Sequence, residues 1–226
     1  MNSRQLIEQV VKTYATCSFY TDTGKATTRG AGHSTDISFR TTYKRPNYLS
    51  YEWSYDSNSD KKGVCLEFDG KRVQRTSMKN IEFSNKDDLV SALNSNFVDS
   101  NGLTGAILHL LDPRFYSSER RLEELSDIKV DFGEFQGEEC SAVSGKHEAI
   151  NDTKFWVRNR DCAILKLSCS MVLRGKNLSS FETIFPNAIE KYGEELAEEL
   201  RVKWTNQKSI DSLNFMESEF QNVLIK

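Results

Sequence analysis

Residues 37–55, ISFRTTYKRPNYLSYEWSY, contain two alternating segments that decide the fold. In the first segment, one strand face carries Ile37, Phe39, Thr41 and Tyr43. In the second, the same spacing selects Leu49, Tyr51, Trp53 and Tyr55. A period of two is the spacing of a strand that buries one face. Pro46 separates the segments, because proline has no amide hydrogen to give to a sheet. The stretch therefore predicts two strands with one aromatic face that needs a cover.

Further strands are predicted on both sides of this stretch. Val64, Leu66 and Phe68 alternate, and Asp69-Gly70 is the strongest hairpin turn in the chain. Later strands are predicted from three patterns: Ile128, Val130 and Phe132; Leu165, Leu167, Cys169, Met171 and Leu173; and the segment 209–215. Other turns are predicted at Asp22-Thr23-Gly24, Ser144-Gly145-Lys146 and Asn159-Arg160-Asp161.

Helical spacing appears in three places. Asn2 or Ser3 is a candidate cap, with Gln5 placed to complete the reciprocal bond from Asn2, for a helix with the apolar stripe Leu6, Val10 and Tyr14. Two short stripes follow between Asp87 and Leu111: Leu89, Leu93 and Phe97, then Leu103, Ile107, Leu110 and Leu111. Pro113 ends the second stripe. A late acidic helix is predicted over 187–203, where its glutamates form a solvated face.

The order of elements predicts the fold class. Strands come in runs, helices are few, and there is no β-α-β rhythm, which favours an antiparallel sheet over a parallel one. We expect a mainly β (α+β) single domain over 1–226, with a lid insertion at about 86–113 and a helical insertion at about 187–203. The net charge of −3 and pI of about 5.8 argue against a nucleic-acid binder.

Motifs for catalysis or metal binding are weak. The five cysteines have unrelated spacings and no C-x-x-C, which favours buried thiols over a zinc site and leaves one disulfide open. His33, His109 and His147 lack the companions of a known catalytic motif, and His109 is best explained as a helix-surface or packed residue. We therefore expect no cofactor and no metal. We also expect no transmembrane segment, because there is no run of 18 apolar residues.

Four local motifs together are similar to one known superfamily. They are the strand Ser18-Phe19-Tyr20-Thr21 after a helix, the segment Tyr43-Lys44-Arg45-Pro46-Asn47 before an aromatic strand, the hairpin Phe68-Asp69-Gly70-Lys71, and the final strand Ile210-Asp211-Ser212-Leu213-Asn214-Phe215. In this order the chain resembles the LolA-like superfamily, the periplasmic carriers of bacterial lipoproteins and their relatives. The resemblance implies a strongly curved, unclosed β-barrel with an apolar concave side and helices that act as a lid. It also implies that Arg45 bonds to backbone carbonyls of the lid helices and helps to hold the cavity shut.

The chain departs from the superfamily pattern in three ways. It shows no signal peptide over residues 1–11, it has the acidic helix at 187–203, and its cysteines are unusual. These departures put the lipoprotein cargo and the compartment in question. The location is periplasmic if a signal was removed before Met1, and cytoplasmic if the chain is complete.

The candidate site residues have two interpretations each. The predicted ligand-cavity residues are Phe39, Tyr43, Leu49, Tyr51, Trp53, Tyr55, Leu66, Ile107, Leu110, Leu111, Leu167 and Met171. Taken singly, each fits a packed core; taken together, they fit an apolar pocket under a lid. Arg45, the predicted lid-gating residue, is either a solvated side chain beside a turn or a planar donor aimed at helix C-terminal carbonyls.

Three functions remain open from the sequence. The first is a non-catalytic binding or carrier protein for lipid, lipidated protein or another hydrophobic ligand. The second is a protein-interaction module of an envelope or stress-response complex. The third is a cofactor-free enzyme that uses the same cavity, which would leave no motif. The expected partners are a hydrophobic ligand or lipidated protein and an envelope protein, without nucleic acid.

Overall fold

The computed structural model describes 2–30, 33–55, 63–76, 81–85, 93, 107–112, 122–147, 150–173, 189, 193–195, 197–198, 201–202 and 212–226. The helices whose bounds it gives are α1 (Ser3–Thr16) and α2 (Leu108–Leu111), with a 3-10 turn at Leu122–Glu124. Its strands are β1 (Phe19–Gly30), β2 (His33–Lys44), β3 (Tyr48–Tyr55), β4 (Val64–Phe68), β5 (Arg72–Thr76), β6 (Ile81–Asn85), β7 (Ser126–Phe135), β8 (Glu138–His147), β9 (Ile150–Arg158), β10 (Ile164–Leu173) and β11 (Ser212–Ile225).

All the described strands belong to one antiparallel sheet. Its order is β6-β5-β4-β3-β2-β1-β11-β10-β9-β8-β7. Two meanders, β1 to β6 and β7 to β11, are joined where the last strand pairs with the first. Within the described residues, β6 and β7 remain as the two edges, so the sheet is not closed. The predicted fold class, mainly β with an unclosed antiparallel sheet, is confirmed.

The alternating segments pair as strands in the register that places their apolar faces together. Phe39 lies opposite Trp53, and Tyr43 lies opposite Leu49. On the other side of β3, Tyr51 lies opposite Leu66. Because residues opposite each other share a sheet face, these rows form one continuous surface, which we call the inner face. Lys44 ends β2 and Tyr48 begins β3, so the predicted interruption around Pro46 is confirmed.

Helix α1 forms as its sequence predicts. The Asn2 side chain accepts from the backbone amide of Gln5, and the Gln5 side chain accepts from the backbone amide of Asn2, each at 2.9 Å. This capping box satisfies two amides that the first helical turn leaves without partners. The stripe Leu6, Val10 and Tyr14 is buried in the main hydrophobic cluster.

Two predicted turns are wrong, because both segments lie within strands. Asp22-Thr23-Gly24 is inside β1, where the pairing with β11 shifts register between Thr21 and Thr23. Ser144-Gly145-Lys146 is inside β8. A Cβ on Gly145 would lie 2.9 Å from the backbone oxygen of Ser126, so this glycine permits a close approach of two strands.

Two other predicted turns are confirmed. Asp69-Gly70 joins β4 to β5, and Gly70 has a φ of 90°, a conformation that glycine adopts without strain. Residues 159–161 form the turn before β10. One tight turn was not predicted: Gln136 and Gly137, with φ of 54° and 76°, connect β7 to β8.

The final strand is longer than predicted. It begins at Ser212 and runs to Ile225, well past the expected end at Phe215. Much of the predicted lid insertion (86–113) and of the late acidic helix (187–203) lies outside the described residues. In the late segment, the amide of Gly193 donates to the Ile189 oxygen at 2.8 Å, and that of Ala197 to the Gly193 oxygen at 3.0 Å. These are helical spacings, but Gly193 has a φ of 82° and is not itself helical, so the helix predicted over 187–203 is interrupted there.

Candidate ligand-binding face

The predicted cavity residues lie together, and most are buried. A single hydrophobic cluster includes Phe39, Tyr43, Leu49, Tyr51, Trp53, Leu66, Ile107, Leu110 and Leu111. Tyr55 and Leu167 are partly buried and pack against this cluster. Met171 is on β10, but its side chain lies outside the described part. The sheet and the α2 segment thus contribute to one apolar region, and whether it admits a ligand stays a prediction.

Aromatic ring pairs organise the inner face. The ring centroid of Phe39 lies 6.5 Å from that of Tyr51 and 5.5 Å from that of Phe220. Trp53 meets Tyr55 edge to face at 5.1 Å. Such geometries are favourable for aromatic pairs. Phe220 was missed from the sequence because it lies beyond the predicted end of the last strand. The preceding position on the same face is Ser218, so no apolar alternation marks Phe220 in the sequence.

Arg45 connects the sheet to both helices. Its Nε donates to the Cys17 oxygen at 2.8 Å, just past the end of α1. One terminal nitrogen donates to the Tyr14 oxygen at 3.3 Å and to the Leu111 oxygen, the last residue of α2, at 2.7 Å. Carbonyls at a helix C-terminus lack helical partners and carry partial negative charge, so a cation is favourable there.

The Arg45 side chain is also oriented from the sheet. Its guanidinium carbon lies 5.4 Å from the ring centroid of Tyr43, a cation–π distance. Tyr43 itself is on the inner face. The planar head is therefore held by an aromatic ring on one side and by three carbonyls around its edge. This geometry is that of a donor aimed at helix ends; the gating role stays a prediction.

Two polar groups on the inner face have no hydrogen-bond partner within the described part of the chain. They are the indole N–H of Trp53, a residue only 5 % exposed, and the hydroxyl of Thr28. Thr28 lies on β1 two residues from Ala26, which faces Ile37. A buried donor without an acceptor costs about 1–3 kcal/mol. Among the described residues, both groups therefore retain an unused donor on the inner face.

A buried polar network lies beneath the end of α1. The Tyr20 hydroxyl donates to Asp22 Oδ2 at 2.6 Å, and the Thr41 amide donates to Asp22 Oδ1 at 3.0 Å. Burial raises the pKa of Asp22 to about 6, although these two hydrogen bonds act in the opposite direction. The Tyr14 hydroxyl accepts from the Ile164 amide at 2.9 Å, which ties α1 to β10. Asp22 was expected in a turn; in the strand it accepts both of these hydrogen bonds.

The described residues offer poor material for acid–base or nucleophilic chemistry. Burial raises the pKa of the thiols of Cys17, Cys140 and Cys162, and raises that of Cys65 to about 11. A thiol with a raised pKa is a weak nucleophile at neutral pH. Within the ranges described above, no group of three or more metal-binding side chains occurs. No helix in those ranges is long and apolar enough to cross a membrane.

A separate groove of about 660 Å³ lies on the β7 to β11 half of the sheet. Its lining includes Lys129, Ser144, Lys154, Ser168 and Phe215. It contains none of the predicted cavity residues. The candidate site therefore remains the aromatic region under the helices.

Together these features define a class of protein: an open antiparallel sheet whose apolar inner face is covered by helices. No family model matches the chain, and no curated protein matches it. Solved structures of similar architecture include LprF from Mycobacterium bovis, with 7% identity, TM-score 0.46, and coverage of 98% of this chain and 92% of that chain. The LolA superfamily protein NE2245 from Nitrosomonas europaea has 8% identity and TM-score 0.36, with coverage of 100% and 94%.

A third similar structure is a complex of two proteins. The MucA/MucB complex of Pseudomonas aeruginosa matches at 8% identity and TM-score 0.40, over 75% of this chain and 51% of that chain. Of these three neighbours, NE2245 is named as a LolA superfamily protein. Similarity at this level carries no ligand or activity over to this chain.

Proposed function

We propose that this protein is a non-catalytic carrier that binds an apolar chain, such as the acyl chain of a lipid or lipidated protein, on its inner face. The observation that supports this most directly is the position of Arg45. One side chain bonds to the ends of α1 and α2 while it rests on Tyr43 of the aromatic face. A polar side chain that bonds to both helix ends beside an apolar surface is suited to link opening of the cover to occupancy of that surface.

Ligand entry requires the helices to move, because the inner-face side chains are packed in the described state. Phe39, Tyr51 and Trp53 are each less than 9 % exposed. A hydrogen bond to a charged group contributes about 1.5–3 kcal/mol, so breaking those of Arg45 is costly but accessible. Burial of an acyl chain returns about 25 cal/mol per Å² of apolar surface. Burial of roughly 200–350 Å² of acyl-chain surface would therefore offset the loss of three such bonds. A ligand that binds the open state by this much better shifts the protein from closed to open.

The unpartnered donors favour an amphiphile over a plain hydrocarbon. An ester or amide carbonyl beside the acyl chain would accept from the Trp53 indole, which is buried without a partner among the described residues. Supplying that acceptor removes the cost of a buried free donor. The ligand class we propose is therefore acyl chains with an adjacent carbonyl. The resemblance of the sequence motifs suggests the bacterial periplasm as the setting.

The test compares replacement of Arg45, which follows β2, with replacement of Arg40, which lies within β2. Purified protein is stripped of lipid, then examined by native mass spectrometry and by titration with a fluorescent fatty acid. We expect one acyl ligand per chain, and we expect Arg45→Leu to change its uptake and release rates. Arg40→Leu is the matched control, because Arg40 is exposed on the opposite face of β2. Arg40→Leu should leave both rates unchanged.

Two results would contradict the proposal. One is the absence of any lipid adduct together with no uptake of the fluorescent probe. The other is a change in melting temperature for Arg45→Leu with unchanged ligand kinetics, which would remove the gating role. Capture of one defined protein partner by ligand-free protein would instead favour the interaction module.

A further inference from the structure

The edge strand β7 offers a surface that the carrier function does not use. Among the described residues, β7 pairs with β8 on one side and ends the sheet on the other. Phe132 on this strand is 81 % exposed. Beside it, the space around Gly133 is open, since a Cβ there would meet nothing within 4 Å. An unpaired edge presents backbone donors and acceptors to any extended strand that approaches it.

The sequence of this edge is complementary to itself. When two copies run antiparallel with Val130 opposite Val130, Lys129 lies opposite Asp131 of the second copy. In the same register, Ile128 lies opposite Phe132 of the second copy. Opposite charges and apolar pairs of this kind stabilise neighbouring strands. Each pair occurs twice because of the two-fold symmetry.

Neighbouring registers lose this complementarity. A shift by two residues places Lys129 opposite Lys129, or Asp131 opposite Asp131. Like charges directly opposite each other destabilise a strand pair. β7 is irregular between Ser126 and Lys129, where Asp127 has a φ of 51°, so the favoured register is confined to residues 128–132 and brings no like charges together. The pattern thus selects one register and one kind of partner, an identical strand.

We propose that β7 pairs with β7 of a second copy of this chain, so that two sheets join into one across a two-fold axis at Val130. The exposed Phe132 gains a cover from Ile128 of the second copy, and the charged side chains on the other face become paired. The edge is then protected by the dimer itself. This proposal stands on the strand edge and is independent of what the inner face binds.

A cross-linking experiment tests the register. Val130→Cys places two thiols opposite each other at the axis, so mild oxidation should give a covalent dimer that a reducing agent dissolves. Glu134→Cys is the control, because position 134 is exposed on the same strand face. In the proposed register two copies of residue 134 are separated by eight residues, roughly 27 Å, and they should not cross-link. The five native cysteines are common to both variants.

A charge-reversal series tests the pairing in the unmodified interface. Sedimentation of the wild-type chain should show a concentration-dependent dimer, and Lys129→Glu should raise its dissociation constant about tenfold or more. Lys129→Glu combined with Asp131→Lys restores opposite charges and should restore the dimer. Circular dichroism confirms that each variant is folded. The proposal is overturned if the wild-type chain remains monomeric up to sub-millimolar concentration. It is also overturned if the two cysteine variants cross-link equally, or if the double variant does not restore the dimer.

Discussion

Replacing Asp22 by asparagine should change how stability depends on pH. The Asp22 carboxyl is 1 % exposed on β1 and is surrounded by the Tyr20 hydroxyl and the Thr41 amide. Burial raises its pKa from 3.8 to about 6. The folded state therefore holds a proton at pH values where the unfolded chain has released it. Stability falls as pH rises wherever the native state binds more protons than the unfolded state.

The size of this effect follows from the shift. A tenfold change in a protonation equilibrium corresponds to about 1.4 kcal/mol, so the rise of the Asp22 pKa from 3.8 to about 6 amounts to about 3 kcal/mol. Below pH 4 the carboxyl is protonated in both states and carries no penalty. Between pH 4 and pH 6 the folded chain loses this stability, and above pH 6 the loss is complete. Asparagine at position 22 does not titrate, so Asp22→Asn lacks this loss.

The assay is urea unfolding at a series of pH values, followed by the fluorescence of the three tryptophans. The wild-type free energy of unfolding, taken relative to Asp22→Asn, should fall by about 3 kcal/mol from pH 4 to pH 7. Asp69→Asn provides a control of opposite sign. The backbone amides of Arg72 and Lys71 lower the pKa of Asp69, so its contribution is lost as pH falls. If the free energies of unfolding of wild type and Asp22→Asn differ by a constant amount over this pH interval, the raised pKa assigned to the Asp22 carboxyl is refuted.

Two further substitutions probe the frame around the candidate site. Tyr14→Phe removes the acceptor of the buried Ile164 amide, so it should lower the free energy of unfolding by about 1–3 kcal/mol and speed hydrogen exchange at that amide. An unchanged urea midpoint would show that the bond contributes nothing. Gly70→Ala should lower the melting temperature more than Gly137→Ala. Both glycines have positive φ, but of the two only Gly70 has a neighbour that a Cβ would meet, Asn47 Cβ at 2.6 Å. Equal losses of melting temperature would show that the backbone conformation alone determines the effect.

The rows around the inner face could be predicted because one-sided burial imposes a strict period on the sequence. A strand that buries every second side chain leaves the same pattern wherever its partner lies. Phe39 and Trp53 therefore meet in the structure as their spacing predicts. The length of the final strand could not be found in the same way. Glu217 and Glu219 look like solvated positions in the sequence, but both bond to Lys166 of the neighbouring strand at 3.0 and 2.9 Å.

The two wrong turns have a common physical cause. Glycine beside polar residues is typical of a turn, yet glycine is also required where two chain segments approach closely. A Cβ on Gly24 would collide with the Phe39 ring and the Glu219 oxygen, and one on Gly145 would press on the Ser126 oxygen. A turn and a close approach of two strands can therefore have the same residue types in the sequence. Only the neighbour across the sheet, which is distant in sequence, distinguishes them.

The two helices over the inner face are not held equally, and this bears on which one opens. Helix α1 has anchors besides Arg45: Arg4 donates to the Leu125 oxygen at 3.2 Å, and the Tyr14 hydroxyl accepts from the Ile164 amide. Helix α2 is one short turn whose last carbonyl, at Leu111, bonds to Arg45. An isolated turn of this length has little stability of its own, since helix nucleation is unfavourable. Because α1 is longer and bonds to β10 independently of Arg45, loss of the Arg45 bond should displace α2 more than α1. The proposed ligand then enters beneath α2, and α1 with its buried Tyr14 serves as the fixed wall of the site.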